Sequence, residues 1–306
     1  MKVKKLRLDQ LLVEKGIVES RGKAKLLILS GQILIDDPRQ SQTIKPGQLV
    51  PLDARIRVKA PLRYVSRGGL KLEKALNEFP VNVAGKVAID IGASTGGFTD
   101  CLLQYGVNFV YAIDVGYGQI AWQLRQNTQK VEVIERTNIR YLDPKLIVRQ
   151  LDLAVIDVSF ISLTKVLPKT ISLLSSSSQI IALIKPQFEA GKELVSKGGV
   201  VRESSSHLFV IQKLQDAAEK LGWQMVALTH SPLRGPAGNV EFLAHFTVKQ
   251  VERLAQIPIA EIVKQAHQKL LCQYRKPLIL TFKIATGIIT RFSLALVKNN
   301  DYSTRD

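Results

Sequence analysis

Three carboxylates and a lysine sit inside or directly after short apolar runs. Asp90 lies within Val87–Ile91, Asp114 follows Phe109–Ile113, Asp157 follows Leu151–Ile156 and Lys185 follows Gln179–Ile184. Such runs read as buried strands, and charged groups at strand ends face the crevice where open α/β sheets bind ligands. Between the first two runs lies Gly92-Ala93-Ser94-Thr95-Gly96-Gly97. Its glycines permit a tight turn and let a ligand approach the backbone. A helix starting near Phe98 would turn free N–H groups toward the same loop. Strand, glycine-rich turn and helix make a nucleotide-type binding site. Aspartates and a lysine beside it supply groups that accept, donate or hold protons.

The dinucleotide pattern G-x-G-x-x-G needs glycines at 92, 94 and 97, and position 94 is Ser94. Asp90, two residues before Gly92 and within the strand, instead follows the D-x-G-x-x-x-G spacing of S-adenosylmethionine (SAM) enzymes. Asp114 is placed for ribose hydroxyls in either class, so it does not discriminate. SAM fits best; a dinucleotide and a purely structural glycine turn are the alternatives.

The elements that must position these groups alternate. Strands are expected over 87–91, 109–113, 131–135, 151–157 and 179–185, with helices near 98–105, 119–125, 163–174 and 203–221. That order predicts a parallel sheet with helices on both faces. Asn138 follows the third strand near the ligand edge. Ser175–Ser178 reads as a turn, and Gly191–Arg202 as a basic loop beside that edge. Two further strands, 223–229 and 240–246, flank Pro-Leu-Arg-Gly-Pro-Ala-Gly-Asn239-Val-Glu241, which brings Glu241 to the start of the last strand. Ahead of the sheet, Ser66-Arg67-Gly68-Gly69-Leu70-Lys71 opens a helix running to about Phe79.

Across 306 residues the net charge is +17, and residues 1–67 hold fifteen Lys/Arg against six Asp/Glu. That asymmetry points to a polyanion such as RNA, with an anionic membrane surface as the rival. The N-terminal stretch reads as two short helices, Arg7–Lys15 and Arg21–Leu29, the second capped by Ser20, followed by a small β-rich closure. Arg21, Lys23 and Lys25 fall on or beside the face opposite the Ala24, Leu27, Ile28 stripe, where phosphates could meet them. Hydrophobic content of 46% excludes global disorder. Cys101 and Cys272 stand far apart in no metal-like spacing and suit a reducing compartment. No signal-peptide core follows the charged start, so a cytoplasmic location is expected, with no metal.

The N-terminal motifs Arg-Leu-Asp-Gln-Leu-Leu-Val, Ser-Arg-Gly-Lys-Ala-Lys-Leu-Leu-Ile and Gly-Gln-Ile-Leu-Ile resemble the S4 RNA-binding domain. The resemblance implies RNA contacts at Arg7, Ser20, Arg21, Lys23 and Lys25, with Arg67 added at the join. The body is similar to the TlyA family of ribosomal RNA methyltransferases, sometimes named haemolysins, and more distantly to FtsJ-type 2′-O-methyltransferases. Five motifs carry this: Ser-Arg-Gly-Gly-Leu-Lys71-Leu, Asp-Ile-Gly-Ala-Ser-Thr-Gly-Gly-Phe-Thr-Asp, Ile-Asp157-Val-Ser-Phe-Ile-Ser-Leu, Lys185-Pro-Gln-Phe-Glu and Gly-Asn-Val-Glu241. The resemblance implies a catalytic tetrad of Lys71, Asp157, Lys185 and Glu241. It also implies SAM held by Asp90, Gly92, Ala93, Ser94, Gly96, Gly97, Asp114 and Asn138. Lys185 would orient the ribose 2′-hydroxyl and share its proton, Asp157 and Glu241 would hold the lysines, and Lys71 would fix the ribose or a phosphate. Neighbouring carboxylates favour the charged form of a lysine, whereas burial and a second ammonium oppose it.

The implied architecture is a Rossmann-like class I SAM-dependent methyltransferase, α/β, behind a small α+β S4 domain. The expected divisions are 1–60 for the S4 domain, 61–67 as linker, 68–250 for the methyltransferase and 251–306 for a C-terminal helix and unmatched extension. The implied partner is ribosomal RNA on ribosomal subunits, without stable membrane association. Two other classes compete: a non-catalytic S4-type assembly factor, against which the complete tetrad argues, and a membrane-active cytolysin. Residues 277–297 are apolar, yet Lys283 and Arg291 lie inside, each costing roughly 2.5–3.5 kcal/mol at a bilayer centre.

Overall fold

A computed structural model describes residues 4–29, 32–35, 44–58, 63–248 and 256–272. Part of the expected β-rich closure, residues 36–43, and the extension beyond Cys272 lie outside them. The chain divides into two compact units, 1–63 and 64–306.

The first unit contains β1 (Lys5–Arg7), α1 (Leu8–Glu14), α2 (Arg21–Leu29), β2 (Ile33–Ile35), β3 (Leu49–Pro51) and β4 (Ile56–Val58). Strands β1 and β3 pair antiparallel, as do β2 and β4. Arg7 therefore belongs to a strand and not to the first helix, because its backbone pairs with Leu49. Leu8, Leu11, Leu12, Ala24, Ile28, Ile33 and Val50 form the core. Ser20 accepts a hydrogen bond from the Lys23 N–H and caps α2 as its sequence suggests.

The second unit runs α3 (Gly68–Glu78), β5 (Val87–Ile91), α4 (Gly97–Gln104), β6 (Phe109–Ile113), α5 (Trp122–Gln126), β7 (Val131–Ile134), β8 (Leu151–Ile156), α6 (Leu163–Ser172), β9 (Leu174–Ile184), α7 (Pro186–Glu189), α8 (Ser204–Glu219), β10 (Trp223–His230), β11 (Phe242–Val248) and α9 (Ile259–Cys272). The expected α/β class with helices on both faces holds. Alternate strand residues feed two cores. Ile89, Ile91, Ala154, Ile156, Ala182 and Ile184 pack with α6, α8 and α9. Ala88, Val110, Leu153, Val155, Ile181 and Leu183 pack with α3 and α4.

The sheet is mixed, which corrects the parallel expectation. Its order is β10-β11-β9-β8-β5-β6-β7, with β11 antiparallel to both neighbours. No helix separates β10 from β11, so β11 returns as a hairpin and not through a parallel crossover. The start of β11 thereby lies beside the end of β9, Phe242 opposite Ile184. A parallel last strand would have carried Glu241 to the far edge.

Three smaller expectations shift. Residues 175–178 belong to β9, but as an irregularity: Leu174 pairs with Leu151 and Gln179 with Leu153. Ser178 secures the excursion by donating to the Leu151 carbonyl at 2.6 Å. Helix α5 starts at Trp122, because the Gly118 N–H is drawn to Glu135 and Ala121 is extended. Residues 64–67, read from the sequence as linker, are packed into the second unit. Tyr64 is buried beside Leu72 and Phe98, and the Val65 N–H donates to Asp100 at 2.8 Å.

Candidate active site

Two adjoining cavities open at the carboxyl edge of the sheet. One, of about 720 Å³, has Lys71, Asp157, Lys185 and Glu241 in its wall. The other, of about 900 Å³, has Asp114, Asn138 and Arg140. Gly92, Ser94, Asp157, Ser159, Phe160 and Phe188 line both. The four tetrad positions, far apart in sequence, thus converge on one chamber.

Each arrives on a different element. Lys71 stands in the first turn of α3, held in place by buried Leu72 and Ala75. Its Nζ donates to Glu241 Oε2 at 2.6 Å. Glu241 is fully buried, and the β10–β11 loop wraps it so closely that a Cβ at Gly235 would stand 2.5 Å from Oε1. Burial pushes the Glu241 carboxyl above its ordinary range, and Lys71 and Lys185 only partly offset this. Lys185 leaves β9 and reaches Asp157 Oδ1 at 2.6 Å. Its Nζ also donates to Ser159 Oγ at 2.8 Å.

The loop after β5 is pinned from below. Gly92 has φ +86°, and a Cβ there would meet the Asp157 carbonyl at 2.5 Å, so only glycine lets the loop lie against the exit of β8. Ser94, with φ +50°, turns its N–H to Asp114 Oδ2 at 2.8 Å. The Gly116 N–H donates to the other Asp114 oxygen at 2.6 Å. Asp114 therefore ties the loop to the next strand, a role its position after β6 does not reveal. Ala93 and Gly97 line the tetrad chamber.

Asp90 and Gly96 line neither cavity. Asp90 is fully buried behind the loop, where Thr99 Oγ1 donates to it at 2.6 Å. Burial pushes its carboxyl up to about 7, Thr99 pulls it down, and Asp157 and Asp114 add to the rise. Gly96, at φ +92°, serves as the left-handed cap of α4. Asn138 lines the Asp114 chamber, while its Oδ1 accepts from the Arg140 backbone N–H at 3.1 Å.

Of the residues expected to meet RNA, Arg67 stands in the wall of the tetrad chamber. In the first unit Lys23 and Lys25 are exposed, with Lys23 3.4 Å from Glu19. Arg7 and Arg21 both bond to buried Asp9.

Sequence reasoning assigned nothing to several neighbours of the tetrad. Ser159 and Phe160 sit two and three residues beyond Asp157. Phe160 is 90% exposed and adopts φ +62°, a costly conformation for a bulky residue that clusters at functional sites. Its ring lies 5.0 Å from that of Phe188. Glu189, buried, accepts from Ser162 Oγ and the Leu163 N–H, tying the chain after Asp157 to the chain after Lys185. Asn239, also buried, accepts from the Val201 N–H at 2.9 Å and donates to the Gly199 carbonyl at 2.8 Å, fixing the basic loop. Among the described residues, no group of three or more His, Cys, Asp or Glu could hold a metal, and no helix is long and apolar enough to cross a membrane.

The pattern of the FtsJ-like methyltransferase family matches residues 64–248, and that of the S4 domain residues 6–50. The Bacillus subtilis protein YqxC is 48% identical over 276 residues, covering 88% of this chain and 97% of that protein. The 16S/23S rRNA (cytidine-2′-O)-methyltransferase TlyA of Mycobacterium tuberculosis is 41% identical, covering 86% of this chain and 97% of that one. A solved structure from Streptococcus thermophilus, named as a haemolysin, superposes with a TM-score of 0.68 at 41% identity, covering 90% of this chain and all of that one. With both domain patterns in order and such relatives matched over nearly their whole length, this chain belongs to the TlyA family of FtsJ-like methyltransferases that carry an N-terminal S4 domain.

Proposed function

We propose that the protein transfers the methyl group of SAM to the 2′-hydroxyl of a cytidine in ribosomal RNA, 16S, 23S or both, acting on ribosomal subunits in the cytoplasm. The observation that carries this reading is the Lys185–Asp157 pair at the junction of the two cavities. A donor held in one chamber and a ribose in the other would meet there.

The Asp114 chamber fits the cofactor. Its volume of about 900 Å³ suits a nucleoside-sized ligand, and each Asp114 oxygen keeps a second lone pair beyond its loop contact. Asp114 and Asn138 would hold the ribose and base, with Gly92, Ala93, Ser94 and Gly97 beneath. Asp90 and Gly96 would shape the loop from behind. Bound there, SAM supplies a methyl group activated by its sulfonium. The chain's own work is then alignment, which provides much of the rate in an in-line displacement. Lys185, held by Asp157 and Ser159, orients the 2′-hydroxyl and takes or shares its proton. Lys71, anchored by Glu241, fixes the ribose or an adjacent phosphate. Phe160 offers an exposed ring on which the target base can stack. Arg67, Arg7, Ser20, Arg21, Lys23 and Lys25 supply RNA affinity and register.

Mass-spectrometric mapping of ribose methylation, on ribosomal RNA from cells with and without this protein, tests the reading. A cytidine methylated only when the protein is present is the expected result. Identical maps would leave a non-catalytic assembly role as the better account.

A further inference from the structure

Asp9 is a charged residue with no exposed surface, in a unit of only about sixty residues. Two guanidiniums converge on it. Arg7 Nε lies 3.0 Å from Asp9 Oδ1 and Arg7 Nη2 3.1 Å from Oδ2, a two-point fork. Arg21 Nη2 shares Oδ2 at 3.1 Å. The two arginines come from different elements, the end of β1 and the start of α2, and keep 43% and 51% of their side chains exposed. Under Arg7 the chain turns at Gly47, where a Cβ would come within 3.3 Å of Nη2.

A buried ion pair is weak evidence for stability, because desolvation offsets much of the attraction. What this one does is geometric. It holds two long, flexible cations side by side in fixed orientation, each partly exposed and with N–H donors left over from its contact with Asp9. Planar guanidiniums matched to oxygen anions bind more tightly when already oriented.

The geometry points to Asp9, Arg7 and Arg21 as one preorganised clamp for an RNA backbone phosphate, with Asp9 as the positioning residue. This rests on the reading of the first unit as the RNA-binding part. It makes a counter-intuitive demand. Asp9→Asn raises the net charge by one, so bulk electrostatics would tighten RNA binding. A positioning role requires it to weaken.

The test is binding of the full-length protein to deproteinised 16S and 23S ribosomal RNA across a salt series. Asp9→Asn should bind roughly threefold to tenfold more weakly, with a log–log salt slope shallower by about one, as for one lost phosphate contact. Asp9→Asn should add nothing further when both arginines are already alanine. Equal or tighter binding by Asp9→Asn, with the first unit folded by hydrogen exchange, overturns the clamp. If Asp9→Asn unfolds the unit, Arg7→Lys decides. It keeps the charge on a half-buried residue but loses the fork, so wild-type affinity there overturns the proposal. Should the double alanine variant bind RNA as well as wild type, the underlying RNA-binding reading of these arginines fails instead.

Discussion

Two lysine–carboxylate pairs face the same chamber at the same distance, 2.6 Å, and are built differently. In Lys71–Glu241 the carboxylate has no exposure at all and is sealed by the loop around Gly235. In Lys185–Asp157 the carboxylate keeps 21% exposure, and the lysine meets it as an ion pair while donating its hydrogen bond to the Ser159 hydroxyl. A fully buried partner cannot rearrange without leaving an unpaired charge in a medium that solvates it poorly. A partly open one can exchange its partner for a substrate hydroxyl. Under the proposed function, the first pair would anchor the helix that borders the site, and the second would be the one to meet the reacting hydroxyl.

The largest effect expected from this contrast is kinetic. Lys185→Ala should slow single-turnover methyl transfer to ribosomal subunits by about 10²–10⁴-fold, the usual contribution of a positioned acid–base group. Affinities for SAM and RNA should change by less than about threefold, and the melting temperature little. The measurement is labelled methyl incorporation at saturating SAM with enzyme in excess. Transfer within a few-fold of wild type would place the reactive group elsewhere.

The second effect is on folding. Glu241→Ala leaves Lys71, whose side chain is 12% exposed, without that carboxylate. Breaking a buried pair in this way costs about 3–5 kcal/mol, so the urea midpoint should fall clearly. Asp157→Ala also leaves a lysine side chain that is 12% exposed, but Lys185 keeps its hydrogen bond to Ser159, so the loss of stability should be the smaller of the two. The reverse ranking would undo the division into anchor and reactive pair.

How much of this was readable beforehand depended on range. The glycine loop, the strand ends and the tetrad's residue types are local patterns, and they placed Asp157 and Lys185 at one edge. Glu241 was harder. Alternating hydrophobicity identifies β11 but not its direction, and only the antiparallel return sets Glu241 beside Lys185. Asp90 misled in the opposite way. A carboxylate next to a ligand loop reads as a ligand contact, yet here it points into the core toward Thr99. Phe160 left no signal, because a positive φ is announced by glycine or asparagine and not by phenylalanine. The Arg7–Asp9–Arg21 fork was hidden because its members come from a strand and two helices, and basic residues alone suggested only a cationic face.

The smallest predicted effect isolates the burial of Glu241. Its carboxyl is pushed above the ordinary value of 4.5, chiefly by burial and against the pull of Lys71. Between that ordinary value and the raised one, the folded protein keeps a proton that the unfolded chain has released. Stability must therefore decline as pH climbs through this window, by at most one proton's worth, about 1.4 kcal/mol per pH unit. Glu241→Gln cannot titrate, so its stability relative to wild type should improve across the same span. Titrations elsewhere, such as buried Asp90 and His207, are common to both proteins, so their direct contributions largely cancel in the difference. Urea denaturation of both forms at a series of pH values from about 4 upward measures it. Parallel curves would mean that the site solvates Glu241 as well as water does. A variant that loses ground as pH rises would mean that attraction to Lys71 outweighs burial, and that the anchor is held chiefly by charge.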